Sequence, residues 1–368
     1  MNRNRWFAAL LALFFCLSVP CGAVCAEAAW PVDDDETYAR AYLAQMSLEE
    51  RVGQLLLVCC HDSETLRGAV TFGVGGICLY ANAFEGRDRD GVRQMIANVQ
   101  AASRIPLIIS VDEEGGSVCR VSSNPKLRSA RFQSPSALYT AGGWELVESD
   151  TREKSALLLD LGINVNLAPV CDVPLSSSDY IYSRSFSTDA QSTAEYVRRV
   201  VRNMREMGIG ATLKHFPGYG GSSDTHTGMA RDDRPYSAFV ESDLLPFAAG
   251  IAAGAESVLV SHNVVACMDS KYPASLSPEV HRILREELGF TGVIMTDALE
   301  MDAIGKHMDV GSAAVQALLA GNDLILCTDF ESAAAAIFAA VDQGVISPER
   351  IDESVLRVLR WKRSFGLI

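Results

Sequence analysis

The sequence lacks the features that mark several large classes of protein. Its 368 residues contain no run of lysine or arginine, and its formal net charge is −14. A chain this acidic is a poor partner for nucleic acid or for an anionic lipid surface. It also has no Cys-x-x-Cys pair, no phosphate loop and no dinucleotide-binding fingerprint. We therefore predict no zinc ribbon, no redox dithiol and no cofactor.

A Gly-x-Ser-x-Gly segment is also absent, which argues against an esterase. The composition is otherwise ordinary, with 48% hydrophobic and 21% charged residues, as in globular proteins. The cysteines after residue 28 are odd in number, and most of them lie inside apolar runs. We predict that these are small buried hydrophobic residues, although secretion would permit a chance disulfide. They are Cys59, Cys60, Cys78, Cys171 and Cys327.

The N-terminal segment is typical of a secretory signal. Arg3 and Arg5 precede an apolar run at 6–19, and this run is shorter than the roughly 20 residues that span a bilayer. Small residues at 26 and 28 supply a cleavage site. We therefore expect a signal peptide at 1–28.

Cleavage at that site leaves a mature chain of residues 29–368 with no membrane span. Its expected location is secreted, periplasmic or in the cell envelope. Two alternatives stay open at this point. The segment could be an uncleaved anchor, or a lipid could be attached at Cys21 or Cys25, although neither cysteine follows a small residue.

Apolar runs alternate with segments of helical period, which is typical of parallel βα units. Eight runs are predicted as strands: 54–60, 74–81, 107–113, 164–173, 210–216, 257–264, 292–297 and 323–328. Helices are predicted at 90–102, 149–161, 190–207, 236–253, 278–288, 311–320, 331–341 and 347–365. No linker or repeat interrupts this order. The pattern predicts an α/β fold of one domain, a (β/α)8 TIM barrel.

Three stretches have poor helical periodicity and are predicted as long loops after strands. They are 120–149, 173–189 and 217–235. In a barrel, loops at the carboxyl ends of the strands build the active site.

Charged and hydrogen-bonding residues stand at the ends of five predicted strands. They are Asp112 with Glu113 and Glu114, Asp172, Lys214 with His215, His262, and Asp297. A lone aspartate after a strand often caps the next helix. Five such groups on one rim instead predict a polar pocket that holds a hydroxyl-rich or charged small substrate.

Two of these regions suit the chemistry of acetals. Asp297 ends a buried strand and suits a carboxylate nucleophile. His226 stands two residues after Asp224, and a histidine oriented by a carboxylate suits a proton donor near neutral pH. Metal ligation by His215, His226 and Asp224 stays open from spacing alone.

These residues also belong to a longer pattern. The Lys-His-Phe-Pro-Gly segment at 214–218, followed by Asp-Thr-His at 224–226, resembles a signature of the β-N-acetylhexosaminidases of glycoside hydrolase family three. The segment at 112–120 looks like the family's Asp-x-Glu-Gly-Gly-Arg-Val-x-Arg. Further similar blocks stand in the same order at 161–173, 184–186 and 293–299. The match runs from about Ser47 to the C-terminus.

The resemblance implies a role for each matching residue. Asp297 would form a covalent glycosyl-enzyme, and His226 would act as acid and then base with Asp224 as its partner. No metal is implied. The residues implied to hold the sugar are Asp112, Arg120, Arg184, Lys214 and His215, with His262 as a further candidate.

Two residues depart from the family pattern. Tyr219 stands where a second histidine is usual, and Ser117 stands where an arginine is usual. Both lie beside the predicted pocket and could alter the preference for the leaving group or aglycone. Asp172 has a simpler interpretation, as a cap or brace of the loop after the fourth strand, and Glu113 has one as a residue behind those that contact the sugar.

The sequence thus predicts a secreted retaining exo-β-N-acetylglucosaminidase whose partner is a small carbohydrate. The expected substrates are peptidoglycan fragments, chitooligosaccharides or glycoconjugates. Related β-glucosidases take their acid from a second domain, but a minimal barrel of about 250 residues leaves no room for one here. A β-glucosidase-like or phosphorolytic enzyme and an inactive sugar-binding barrel remain alternatives. The pattern does not specify an oligomeric state.

Overall fold

The computed structural model describes residues 34–221, 224–225 and 228–368. Eight parallel strands form one sheet: β1 (Leu56–Cys60), β2 (Gly76–Leu79), β3 (Ile108–Val111), β4 (Val165–Asn166), β5 (Gly210–Phe216), β6 (Ser257–Val260), β7 (Val293–Thr296) and β8 (Ile325–Cys327). Their order is β7-β6-β5-β4-β3-β2-β1-β8. A parallel bridge between Met295 of β7 and Leu324 joins the two outer strands. The predicted (β/α)8 barrel is confirmed.

The predicted signal peptide at 1–28 and its cleavage site lie outside the described residues. Across the part of the chain that is described, no helix has the length and apolar character needed to cross a bilayer.

The side chains of the strands alternate between two apolar cores. One core fills the barrel interior and includes Leu57, Cys59 and Met295. The other lies between the strands and the surrounding helices and includes Leu56, Val58 and Cys60 of the same first strand. This alternation follows from the two-residue period of a strand, and burial on both faces explains why the strands read as continuous apolar runs.

Helices surround the barrel and connect successive strands. Their bounds are Asp34–Leu43, Leu48–Gln54, Ser63–Phe72, Ala81–Phe84, Arg89–Ala102, Pro135–Leu161, Ala190–Met207, Tyr236–Ala238, Leu244–Ala252, Pro278–Arg282, Asp302–Gly305, Val310–Ala320, Phe330–Asp342 and Pro348–Ser364. Two π-helical turns, Phe239–Asp243 and Ile283–Glu287, extend neighbouring helices. Two 3₁₀ turns occupy Tyr180–Ser183 and Ala274–Leu276.

Most of the longer helices begin at an aspartate or serine whose side chain accepts a backbone N–H of the first turn. These residues are Ser47, Asp62, Asp88, Ser134, Asp189, Ser277, Asp309, Asp329 and Ser347. The bond satisfies a donor that the helix itself leaves unpaired. It explains why polar residues follow the strands at sites with no chemical role.

One predicted loop is wrong over half its length. The stretch 120–149 was expected to lack helix, but a helix begins at Pro135. Gly142 and Gly143 have non-helical backbone angles and kink this helix, which interrupts the 3.6-residue pattern on which the prediction depends. The helix Ser63–Phe72, between β1 and β2, was also missed.

The cysteine prediction is confirmed. Cys59, Cys60, Cys78, Cys171 and Cys327 are buried free thiols, as is Cys119, and Cys267 is an exposed free thiol.

Candidate active site

A cavity of about 710 Å³ opens at the carboxyl ends of the strands. Its lining includes these predicted residues: Asp112, Arg120, Arg184, Lys214, His215 and Asp297. Leu167, Leu259 and Leu326 contribute apolar surface from the barrel interior. Parallel strands end at one face, so residues far apart in sequence meet there.

Asp297 follows β7 and lies half-buried in the cavity wall. Its backbone N–H donates to the carbonyl oxygen of Val260 in β6 at 3.0 Å. Its Oδ1 accepts the N–H of Ala298 at 2.9 Å. These bonds hold Asp297 on the strand framework, with its carboxylate in the cavity wall.

Lys214 joins two carboxylates beneath the cavity. Its Nζ lies 2.6 Å from Oδ1 of Asp112 and 2.6 Å from Oε1 of Glu114. Lys214 and Glu114 are almost fully buried, and Asp112 is half-buried. Burial alone would lower the pKa of Lys214, but the two carboxylates raise it above its ordinary value. The lysine is therefore a cation that donates hydrogen bonds.

Arg184 binds the same glutamate with two parallel hydrogen bonds. Its Nε lies 3.0 Å from Oε2 of Glu114, and its Nη2 lies 2.7 Å from Oε1. Burial opposes ionisation of Glu114, but the charges of Lys214 and Arg184 hold the pKa of this carboxyl well below its usual range. Glu114 is thus an anion between two cations.

The hydrogen bonds of His215 fix its tautomer. Its Nε2 lies 3.1 Å from Nη2 of Arg184, and an arginine can only donate, so Nε2 is the acceptor. The proton is then on Nδ1, which donates to Oδ2 of Asp172 at 2.7 Å. Asp172 also accepts the backbone N–H groups of His215 and Tyr219. It therefore braces the residues that follow β4 and β5, as predicted.

These contacts weigh against His215 as a metal ligand, because both of its ring nitrogens are engaged. Within the described ranges, no three His, Cys, Asp or Glu side chains are grouped so as to hold a metal ion.

Arg120 lies at the end of a short hairpin whose strands are Glu113–Gly115 and Val118–Cys119. Its Nη2 is 4.0 Å from Oδ2 of Asp112, and its guanidinium lies 5.4 Å from the centre of the Tyr80 ring. Its backbone N–H donates to Glu113 at 2.8 Å. The hairpin therefore places the arginine in the cavity wall.

The turn of this hairpin requires its two glycines. Gly115 and Gly116 have φ of 107° and 67°, a region that disfavours residues with a Cβ. A Cβ on Gly115 would also lie 2.2 Å from the carbonyl oxygen of Gln133. The Gly-Gly pair of the sequence motif thus has a steric cause.

His226 lies outside the described residues, whereas its neighbours Asp224 and Thr225 are described. Burial raises the pKa of Tyr180, and the charges of Asp224 and Asp297 act in the same direction. Both carboxylates are therefore within electrostatic reach of one tyrosine in the cavity wall. Thr225 is fully buried, and its Oγ1 lies 2.5 Å from the hydroxyl oxygen of Tyr219.

The two departures from the family pattern have different positions. Tyr219 is 1% exposed, and its ring packs edge-on against His215 with 5.1 Å between ring centres. It supports the site from behind. Ser117 is exposed and belongs to the cavity lining. Of the two, Ser117 is the one placed to meet a substrate.

His262 is buried behind the cavity wall. Its Nδ1 is 2.7 Å from Oγ of Ser275, and its Nε2 is 2.9 Å from the carbonyl oxygen of Ala298. Because a carbonyl accepts, Nε2 carries the proton. This bond supports the residue next to Asp297, and the cavity lining does not include His262 among the described residues.

Sequence reasoning missed the central position of Glu114. Side chains in an extended segment alternate, so residues 112 and 114 share a side and residue 113 faces away. The structure has this arrangement, since Asp112 and Glu114 both bind Lys214. Applied to the segment after the third strand, this period would have found Glu114.

Comparison with known proteins identifies the class of this chain. The Glycosyl hydrolase family 3 N terminal domain matches residues 47–361. A beta-hexosaminidase of Xanthomonas campestris pv. campestris (strain B100) is 34% identical over 257 residues, which are 69% of this chain and 76% of that protein. A beta-hexosaminidase of Nitrosomonas eutropha is 31% identical over 300 residues, 77% of this chain and 83% of that protein. The chain belongs to glycosyl hydrolase family 3 and is a glycoside hydrolase.

Solved structures are similar over the whole barrel. A glycoside hydrolase family 3 beta-N-acetylglucosaminidase from Paenibacillus sp. str. FPU-7 has a TM-score of 0.81 and 34% identity, covering 88% of this chain but 63% of that one. A beta-N-acetylhexosaminidase from Beutenbergia cavernae DSM 12333 has a TM-score of 0.77 and 28% identity, covering 87% of this chain and 99% of that one. These similarities support a β-hexosaminidase activity.

Proposed function

We propose that this protein is a retaining exo-β-N-acetylglucosaminidase that removes terminal β-linked N-acetylhexosamine. The strongest support is that Asp297 lines the same cavity as the hydrogen-bonding side chains of Asp112, Lys214 and Arg184. A carboxylate on a rigid strand end beside many donors and acceptors suits a hydroxyl-rich sugar. The names of the similar hexosaminidases support the acetamido sugar.

In the first step, the Asp297 carboxylate attacks the anomeric carbon of the sugar. The new bond from carboxylate oxygen to carbon forms as the glycosidic carbon–oxygen bond breaks. The departing oxygen takes a proton from the His226 imidazolium, which Asp224 stabilises.

In the second step, neutral His226 takes a proton from water. The water oxygen attacks the anomeric carbon and releases Asp297 as a carboxylate. Two displacements at one carbon retain its configuration. All protons pass between His226 and the two oxygens, so no metal or cofactor is needed for balance.

The substrates that we propose are peptidoglycan fragments, chitooligosaccharides or glycoconjugates. The proposed location is outside the cytoplasmic membrane, because the first 28 residues have the pattern of a cleaved signal. Measuring the mass of the mature protein recovered from its source would test this, with residue 29 expected at the N-terminus.

A covalent label tests the mechanism. A fluorinated N-acetylglucosamine inactivator should trap the glycosyl-enzyme, and peptide mass mapping should find the sugar on the peptide that contains Asp297. A label on another peptide, or no label on an enzyme that turns over substrate, would refute this nucleophile.

Substrate rates test the acetamido assignment and its alternatives. We expect faster cleavage of an aryl β-N-acetylglucosaminide than of an aryl β-glucoside, with no dependence on phosphate. Equal or faster glucoside cleavage would favour the β-glucosidase-like alternative. A sugar phosphate product would favour the phosphorolytic one, and binding without turnover would favour an inactive barrel.

His226→Ala should slow substrates with poor leaving groups more than activated aryl substrates, since only the former need a strong proton donor. A loss of about 10²–10⁴-fold is expected for a disaccharide, the usual contribution of general acid catalysis. The measurement is kcat/KM for both substrate types. Equal losses on the two would contradict the role of His226 as acid.

A further inference from the structure

We propose that Glu114 is a positioning residue for substrate binding, whose carboxylate fixes the directions in which Lys214 and Arg184 donate to the sugar. The identity of that sugar rests on the proposed function. The geometry of the cluster does not.

Two cations share the one carboxylate of Glu114. Oε1 of Glu114 lies 2.6 Å from Nζ of Lys214 and 2.7 Å from Nη2 of Arg184, and Oε2 lies 3.0 Å from Nε of Arg184. The two parallel bonds to Arg184 set the plane of the guanidinium as well as its place. A single bond could not fix that plane.

Lys214 and Arg184 repel each other. The charge of Arg184 acts on Lys214 to lower the pKa of its ammonium group, so the two cations are close enough to repel each other. Lys214 is buried and the Arg184 side chain is only 12% exposed, so solvent screens this repulsion poorly. The anion of Glu114 between them offsets the repulsion. Without it, we expect Lys214 to turn toward Asp112 and Arg184 to move away.

Lys214 and Arg184 each have an N–H group beyond those that bind their protein partners. Lys214 has three N–H groups, and its contacts within the described part of the chain use two, on Asp112 and Glu114. Arg184 donates to Glu114 from Nε and Nη2, and to Nε2 of His215 from Nη2. Its Nη1 donates to the hydroxyl of Tyr180 at 3.3 Å. Each cation thus keeps an N–H group, and both line the cavity. These N–H groups would donate hydrogen bonds to a hydroxyl or acetamido oxygen of the sugar.

Glu114 is itself held from behind. Its carbonyl oxygen accepts from Nζ of Lys154 at 3.1 Å, and Lys154 pairs with Asp150 at 3.2 Å. Its own position in the short hairpin strand fixes its backbone. The glutamate is therefore held in place independently of the two long cationic side chains that its carboxylate binds.

Glu114→Gln tests this proposal, because it keeps the size and removes the charge. We expect KM for an aryl β-N-acetylglucosaminide, and the Kd for free N-acetylglucosamine measured by calorimetry, to rise together by about 10-fold or more, the scale of a lost hydrogen bond to a charged group. The control is Asp323→Asn, which removes a buried, arginine-paired carboxylate outside the site. It should lower Tm and leave KM and Kd unchanged.

A pH profile separates positioning from loss of stability. The charged groups that face Lys214 are Asp112, Glu114 and Arg184, so Glu114→Gln leaves one anion and one cation beside it. The pH above which the Kd for free N-acetylglucosamine weakens should fall by about one unit or more, the scale for a lost neighbouring charge. Glu114→Asp, which keeps the charge, should keep the wild-type pH dependence of Kd.

Two outcomes overturn the proposal. One is a folded Glu114→Gln enzyme with wild-type KM and Kd, and the other is a change in Tm alone, as in the control. Failure of the proposed function looks different, since wild type would then not cleave the N-acetylglucosaminide at all. The Kd comparison, with other monosaccharides as probes, would still test Glu114.

Discussion

The barrel has a cluster of charged side chains at each end, and the two clusters differ in whether hydrogen-bond donors stay available for a ligand. The upper cluster, at the carboxyl ends of the strands, consists of Asp112, Glu114, Lys214 and Arg184. The lower cluster, before β8, centres on Asp323. Its carboxylate accepts from Arg285 at 2.6 Å, Arg357 at 3.0 Å, the hydroxyl of Ser354 at 2.7 Å and the N–H of Ile294 at 2.9 Å.

The lower cluster connects parts of the fold. Asp323 is fully buried, and its donors come from β7, from the π-helical turn before it and from the C-terminal helix. The upper cluster has ion pairs as short as these but lines a cavity. Strong ion pairs therefore do not by themselves mark a site. A site is marked by hydrogen-bond donors that stay available beside a cavity.

Two buried lysines make the same contrast. Lys214 of the upper cluster lies between carboxylates, which raise the pKa of its ammonium group. Lys362, at the lower end, is 0% exposed and donates to the amide oxygen of Gln54. Burial lowers its pKa to about 7. The same residue type is thus a fixed cation at one end and a titrating group at the other.

The largest effect should come from the upper end. Asp297→Asn should lower kcat by about 10⁴-fold or more, the scale for removal of a nucleophile, because an amide cannot form the glycosyl-enzyme. Tm should change little, since Asp297 is half-buried in the wall of an open cavity. Steady-state rates with an activated aryl substrate give the measurement. A residual rate near wild type would remove Asp297 from the mechanism.

The next effect should appear at the lower end, as a loss of stability. Asp323→Asn leaves Arg285 and Arg357 without their shared anion, and breaking such a buried pair costs about 3–5 kcal/mol. Urea unfolding gives the free energy, with kcat/KM as the second readout. A large loss of kcat/KM in the folded variant would contradict the assignment of the lower cluster to stability and of the upper cluster to activity.

A smaller effect is expected for Arg184→Lys in the upper cluster. A lysine cannot make the two parallel bonds to Glu114, so KM should rise by about 10- to 100-fold, in line with about 1.5–3 kcal/mol for hydrogen bonds to a charged group. The free energy of unfolding should fall less than in Asp323→Asn. An unchanged KM would show that the plane of the guanidinium is unimportant.

Per pH unit, the smallest effect is a slope of about 1.4 kcal/mol in the free energy of unfolding, set by Lys362. Above pH 7 the folded chain has released this proton, whereas the unfolded chain keeps it up to the ordinary pKa of 10.5. The unfolded state therefore binds more protons in this window, and the free energy of unfolding rises with pH. Lys362→Met should flatten that part of the rise in urea titrations from pH 7 to 10. Parallel curves for the two proteins would contradict the lowered pKa.

The sequence predicted the elements whose pattern is local. The helix Ala190–Met207 and the strand Gly210–Phe216 have the predicted bounds, because the helix has a clear polar face and the strand stands between Gly208 and Pro217. The helix from Pro135 to Leu161 was predicted only in its second half, because the Gly142–Gly143 kink divides it. A kink of this kind interrupts the 3.6-residue hydrophobic period from which a helix is predicted.

The site was predicted as far as residue type and strand position allow. Asp112, Lys214, Arg184 and Asp297 do line one cavity. Glu113 was predicted to lie behind the residues that contact the sugar, but the central position of Glu114 was missed, because only the side of the hairpin that each faces distinguishes these identical neighbours. Nor could spacing tell that His262 lies behind the wall, where it supports Ala298.

Glu113 gives the hairpin a property of its own. Its buried carboxylate accepts the backbone N–H groups of Arg120, Val121 and Ser122 and the hydroxyl of Ser122. The frame that carries Arg120 is thus tied through main-chain atoms, while Ser117 stands exposed at the turn. We expect that residue 117 can be exchanged without rebuilding that frame, so that a substitution there would alter the cavity wall and spare the support of Arg120.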